Sequence, residues 1–308
     1  MLGVVACGGQ EACNRALLAS SLLAHYYNPR TSSIPIATGA DGAKDESTPR
    51  HEPAEYEYCI EGFDNMGTDN IPAAGDFLRE TLMSAGDGSV TVQIQAAFTD
   101  VALLLQSDAA LFKRKVCRVV AMGAVQASGG NLTAAPAFNN DLDRPAAQAV
   151  YSFCASQRLP LTVISRDAVP SMPTALIKEI AAAADPPSPL IAYLANAQSA
   201  SLAALYRKIC AGVMPPRCSK QWFVATFCDM SPQDRAGLWD GTEPPDDLDM
   251  TRFLSGTVKP YDPVTLLATM EQPGTVGTEA LFHWESAAVR IGGTTHYVFD
   301  SLEQVQGD

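Results

Sequence analysis

Positive charge is scarce in this chain. Its 308 residues carry 21 Lys and Arg against 34 Asp and Glu, a formal net charge of -13 at pH 7. Sequence-independent binding to a phosphate backbone needs a basic face, so nucleic acid is excluded as a partner and a neutral or cationic small ligand is expected. Paired metal-ligand cysteines are also missing. The eight cysteines are scattered at 7, 13, 59, 117, 154, 210, 218 and 228, with no CxxC, and several fall inside apolar runs such as "KVCRVVAMG", where free cysteine behaves as a small hydrophobe. Reduced thiols, and hence a reducing compartment, are expected. No membrane span is visible: "MLGVVACGGQEACNRALLASSLLAHYY" has no basic leader and is interrupted by glycines, Gln10, Glu11 and Arg15, short of the roughly 20 apolar residues a bilayer requires. A cytoplasmic location with no membrane partner follows. A GxGxxG dinucleotide fingerprint and an internal repeat are absent as well.

What is present is an alternation of short apolar runs with helical patterns, which indicates βαβ units and an open, mainly parallel sheet with helices on both faces, an α/β Rossmann-like architecture. Strands are expected at Leu2–Cys7, Ile34–Ala37, Val90–Ala96, Val116–Met122, Leu161–Ser165 and Phe223–Phe227. Helices are expected at Glu11–Tyr27, Ala73–Ala85, Thr99–Ser107, Arg144–Ser156, Met172–Ala184 and Leu202–Ile209. Val116–Met122 lacks regular polar alternation, which predicts burial on both faces and an interior position. The polar stretches 39–57 and 238–250 read as exposed loops, and neither demands a boundary, so residues 1–308 are expected to form one domain. The chain opens directly on a core strand, which predicts a missing strand upstream.

"GGNLTAAPAFNNDLDRPAAQAVYSF", residues 129–153, sits between an apolar strand and a helix. In an open α/β sheet that is the crevice where ligands bind. On its own the asparagine after paired glycines is an ordinary turn residue.

The stretch resembles the loop "GN-x-[ST]-x-x-A-E-F-N" followed by "D-P-E-A-A" of the inosine-uridine-preferring nucleoside hydrolases. Three further segments resemble that family in the same order: "IEGFDNMG" at 60–67 its "IHGxDGLG", "QAAFTDVALLL" at 95–105 its "xGPLTNIALAL", and "YDPVTLLA" at 261–268 its "HDPLAVA". The resemblance implies hydrolysis of the N-glycosidic bond of ribonucleosides to base and ribose. It also implies a calcium ion holding the sugar hydroxyls and a water, a small-molecule nucleoside as partner, and a homo-oligomer. Carried over by position, Asp262 and the Thr99 carbonyl correspond to metal ligands. Asn131 and Asn139 correspond to ribose contacts, and Tyr261 to a substrate contact where the family has histidine.

The departures are specific. Ala137 stands where the family has a ribose-binding glutamate, Glu61 replaces a loop histidine, and "VACGGQ" stands for "VAGN". The family's opening "D-x-D-x-G-x-D-D", which supplies the proton-accepting aspartate and most calcium carboxylates, has no counterpart, so no catalytic base is assigned. Calcium prefers 6–8 oxygen ligands, and one carboxylate with one carbonyl predicts weak binding. Two readings follow: a nucleoside hydrolase impaired in this chain, or a catalytically silent relative that binds a nucleoside or sugar or serves as a scaffold.

Overall fold

The computed structural model describes residues 3–6, 34–40, 71–183, 202–212, 218–228, 256–271 and 280–305, with short pieces between them such as Ala16, Ala19 and Gly42. The expected helix Glu11–Tyr27 therefore lies outside the described residues except at Ala16 and Ala19, both helical. The loop motif at 60–67, with Glu61, lies wholly outside them.

The central sheet has five strands. In chain order they are β3 (Val90–Ile94), β4 (Val116–Met122), β7 (Leu161–Ile164), β10 (Ala288–Ile291) and β11 (Thr294–Phe299), arranged β10-β11-β7-β4-β3. β3, β4, β7 and β11 run parallel, and only β10 is antiparallel, hairpinned onto β11. β4 is interior, as its apolar run predicts. Its side chains alternate between two cores: Val119 and Ala121 pack on one face, Val120 and Met122 on the other.

Helices cover both faces. On the first lie α1 (Ala74–Ser84), α2 (Thr99–Lys115) and α4 (Arg144–Ser156), which contribute Leu82, Leu104, Phe112, Val150 and Tyr151 to one buried cluster. On the second lies α8 (Tyr261–Met270), whose Val264 and Ala268 meet Phe282, Trp284 and Phe299. α8 runs antiparallel to β4. Arg118, near the start of that strand, donates to the carbonyls of Thr269 and Glu271, placing a cation where the helix dipole favours one. α2 extends past the expected Ser107 because it restarts: Asp108 leaves helical geometry (φ -154, ψ 64) and its carboxylate caps the next turn by accepting from Leu111 N at 3.0 Å.

Beyond this sheet, β1 (Val4–Ala6) and β2 (Ile36–Thr38) form a separate parallel pair. It is tied to the main body by Ala40 N, which donates to both carboxylate oxygens of Asp100 at 3.0 and 3.1 Å. A satellite core gathers around Tyr206 and Phe223. There the expected strand Phe223–Phe227 is instead a helix, α7 (Lys220–Phe227), following the helix α6 over residues 202–210. Ser219 caps α7 by accepting from Trp222 N at 3.1 Å, and the rings of Phe223 and Phe227, spaced i,i+4, pack at a tilt of 52° with centroids 5.1 Å apart. A short apolar run does not by its period distinguish a strand from a helix; the cap decides. Similarly, Met172–Pro173 (β8) pair with Thr257–Val258 (β9), so the helix expected from Met172 begins only at Thr174, as α5 (Thr174–Ala183).

Two hairpins complete the description: β10–β11, and β5 (Val125–Ser128) with β6 (Asn131–Ala134). Both turn on paired glycines with positive φ, Gly129–Gly130 at 57° and 81° and Gly292–Gly293 at 57° and 85°, the conformation a two-residue hairpin loop demands. Among the described residues no helix is long and apolar enough to cross a membrane.

Candidate functional site

The site is expected at the carboxyl ends of the strands, and the residues there are held by polar clamps. α3 (Phe138–Asp141) follows the β5–β6 hairpin and carries two asparagines with different duties. Asn140 is fully buried. Its amide donates to the carbonyls of Ala124 and Ala135, both at 2.7 Å, and its oxygen accepts from Tyr151 OH at 2.9 Å. Those bonds pin the base of the hairpin to α3 and α4. Gly123 must be glycine to admit the clamp, because a Cβ there would lie 2.6 Å from Tyr151 OH and 2.8 Å from Asn140 Oδ1. Asn139 is half-buried, and its Nδ2 donates to Met122 O at 3.1 Å. It thereby lies at the carboxyl end of β4.

Thr99 opens α2 immediately beyond β3. Its hydroxyl donates to Asp143 Oδ2 at 2.8 Å, while Asp143 Oδ1 caps α4 by accepting from Ala146 N at 3.1 Å. The starts of two helices are thus fastened together. Asp262 lies in the first turn of α8, and its backbone carbonyl accepts from Gln95 Nε2 at 2.7 Å. Gln95 just follows β3, so this bond brings α8 to the same edge. The Asp262 side chain reaches solvent, but the protein crowded around it pushes the carboxyl pKa up from its ordinary value. Tyr261 is half-buried, and burial likewise pushes its hydroxyl up, keeping it protonated and able to donate.

Asp262, Tyr261, Thr99 and Asn139 therefore share the carboxyl edge of the sheet. Asn131 does not join them. It opens β6 across from Ser128 at the tip of the hairpin, and the hairpin folds back along α4, with Gln148 Nε2 donating to Leu132 O at 3.0 Å. Asn131 ends beside Ser152, Ser156 and Arg158 at the far end of α4. The paired glycines act as a hairpin turn rather than as a crevice loop, and that turn carries the asparagine away. Ala137, at the start of α3, offers only a methyl group where a sugar-binding carboxylate is expected.

A calcium ion at this edge would have to draw its oxygen ligands from these residues. The Thr99 carbonyl belongs to the first turn of a helix, the Asp143 carboxylate is committed to a hydroxyl and a cap, and Asp262 brings one carboxylate. Among the described residues no group of three or more His, Cys, Asp or Glu is placed to hold a metal ion. The described donors do not fit the 6–8 oxygen shell calcium prefers.

Gln95, Asp143 and Asn140 are the residues that sequence reasoning missed. Gln95 and Asp143 each hold a predicted position, Asp262 and Thr99, and Asn140 holds the hairpin base beside Asn139; a polar side chain that supports a loop leaves no periodic trace in sequence.

Several proteins of known structure share this fold. The effector protein XOO4466 is similar at 21% identity and a TM-score of 0.65, covering 98% of this chain and 78% of that one. The type III effector protein XopQ, solved with adenosine diphosphate ribose, is similar at 20% identity and a TM-score of 0.66, covering 98% and 77%. The plant nucleoside hydrolase PpNRh1 is similar at 13% identity and a TM-score of 0.51, covering 96% and 78%. At these identities they share the fold. No curated protein matches the sequence. The family model described as inosine-uridine preferring nucleoside hydrolase matches residues 1–295. This chain belongs to the inosine-uridine preferring nucleoside hydrolase family.

Proposed function

We propose that the chain binds the ribosyl part of a nucleoside at the carboxyl edge of its sheet and hydrolyses the N-glycosidic bond to base and ribose far more slowly than complete family members. The observation that carries this reading is the donor set at that edge. Asn139 retains an amide oxygen for a sugar hydroxyl, each carboxamide offering both donor and acceptor. Asp262 retains a carboxylate that would stabilise positive charge developing on the ribosyl ring. Among the described residues the other carboxylates near this edge are already engaged: Asp143 accepts from Thr99 and from Ala146 N, and Asp100 accepts from Ala40 N. Tyr261, a protonated phenol, donates to a departing base more weakly than the histidine of the family would. Missing general-base catalysis costs about 10²–10⁴-fold in rate. Calcium, where family members bind it, would hold the sugar hydroxyls and activate water; the residues described here are not matched to it.

A second reading, a silent relative that keeps only ribosyl binding, is favoured by one observation. XopQ, of the same fold, was solved with adenosine diphosphate ribose, a ribosyl ligand. Both readings require the carboxyl-edge site. Calorimetric titration of inosine and of adenosine diphosphate ribose into the wild-type chain and into Asn139→Ala and Asp262→Asn tests it. Binding weakened tenfold or more in both variants, with unchanged circular dichroism, is expected. Binding insensitive to both substitutions, or no binding of either ligand by the wild type, would overturn the proposal.

A further inference from the structure

The turns of the two hairpins, β5–β6 and β10–β11, approach the carboxyl end of α4 from two sides and leave an open cleft of about 600 Å³. Its lining includes Ser156 and Arg158, which precede β7, and Gly292, which precedes β11. The cleft is therefore at the amino ends of the parallel strands, opposite the site described above. We propose that it binds a small ligand with an anionic head, phosphate or carboxylate, on a hydroxylated body.

Arg158 carries the argument. It is the only non-glycine residue with positive φ (57°) among the described residues. It occupies the position just past the end of α4, where Leu159 N donates back to Cys154 O at 2.9 Å and where helices usually place glycine. A side chain in this left-handed conformation is disfavoured relative to glycine, and backbone strain of this kind concentrates at functional sites.

The Arg158 guanidinium is exposed and forms no ion pair among the described residues, in a chain with 34 acidic side chains. Arg79, Arg114 and Arg144 are each paired with an aspartate. A free guanidinium fork matches two oxygens of a phosphate or carboxylate. The carbonyls that end α4 would repel an anion, but Lys113 donates to the Gln157 carbonyl beside Arg158 and offsets one of them.

The remaining lining suits hydroxyl groups. Ser152 Oγ accepts from Gln148 Nε2 at 2.8 Å and keeps its own proton to donate. Ser156 Oγ donates to Phe153 O at 3.2 Å and keeps its lone pairs to accept. The Asn131 side chain offers both kinds of group, while Phe153 and Ile291 supply apolar walls.

Titration of glucose 6-phosphate and of gluconate into the full chain tests the proposal and distinguishes the two head groups. At least one should bind. Arg158→Gly should weaken that binding tenfold or more while raising the melting temperature, because the strained conformation passes to glycine. A merely structural arginine would not give that opposition. Asn131→Ala should weaken binding less, and Asp262→Asn, at the opposite edge, should leave it unchanged. Failure of both ligands to bind, or equal affinity in Arg158→Gly, would overturn the proposal.

Discussion

Replacing Asn140 with alanine should destabilise the fold by about 4 kcal/mol. The side chain is fully buried and makes three hydrogen bonds, to the Ala124 and Ala135 carbonyls and from Tyr151 OH. Removing it does not orphan all three partners. The Ala124 carbonyl also accepts from Ala135 N at 3.0 Å and stays satisfied. The Ala135 carbonyl, on a half-buried residue, and the buried Tyr151 hydroxyl lose their partner among the described residues, and a polar group so stranded away from water costs about 1–3 kcal/mol. Two such groups give about 2–6 kcal/mol, a large part of the roughly 5–15 kcal/mol available to a folded domain. Adding Tyr151→Phe to Asn140→Ala removes one orphan, so a urea-denaturation double-mutant cycle should show a coupling of about 0.5–3 kcal/mol. A loss below about 1 kcal/mol for Asn140→Ala, or strict additivity with Tyr151→Phe, would refute this account of the hairpin base. Asn139→Ala, by contrast, removes one bond from a half-buried amide and should cost only about 1 kcal/mol.

Other outcomes follow from the same contacts. His296 is fully buried, with neither ring nitrogen partnered among the described residues, and burial holds its pKa below the ordinary histidine value. Its neutral form is the one the fold accepts, so stability should be complete above about pH 6.5, the unfolded value, and should fall as pH drops below it towards the folded value. His296→Phe should flatten that dependence in denaturation midpoints measured between pH 5 and pH 8; an unchanged slope would count against it. The Cys154 thiol, buried and pushed up to about 12, should resist iodoacetamide in the folded protein while exposed Cys117 is alkylated, as peptide mass mapping would reveal. Gly130→Ala should cost about 1–2 kcal/mol through backbone strain alone, because φ is +81° and nothing lies within 4 Å of the new methyl. A neutral result would mean that the hairpin turn readily changes type.

The parts of the fold legible in sequence are those with one unbroken pattern. β4 and α4 have the bounds their apolar runs predict, because β4 is buried on both faces and α4 has an aspartate cap, Asp143, followed by Pro145. The hairpin β10–β11 escaped notice although Gly292–Gly293 between β-branched runs is a hairpin signal, and β5–β6 was hidden by its likeness to a ligand loop. Within the candidate site, position in the chain identified Asp262, Thr99 and Asn139 at one edge. It gave no role to the adjacent Asn140, whose buried clamp on Ala124, Ala135 and Tyr151 exists only after α3 forms. It also misplaced Asn131, whose location depends on a two-residue turn and on the hydrogen bonds of Gln148 rather than on any local preference.

We propose that this member of the family keeps a ribosyl site and hydrolyses nucleosides slowly. The decisive measurement is release of reducing sugar from inosine and uridine by the purified chain, with calcium supplied and beside an active nucleoside hydrolase at equal concentration. A rate lower by about 10²–10⁴-fold is the predicted result. Ribose release within tenfold of the active enzyme would contradict it.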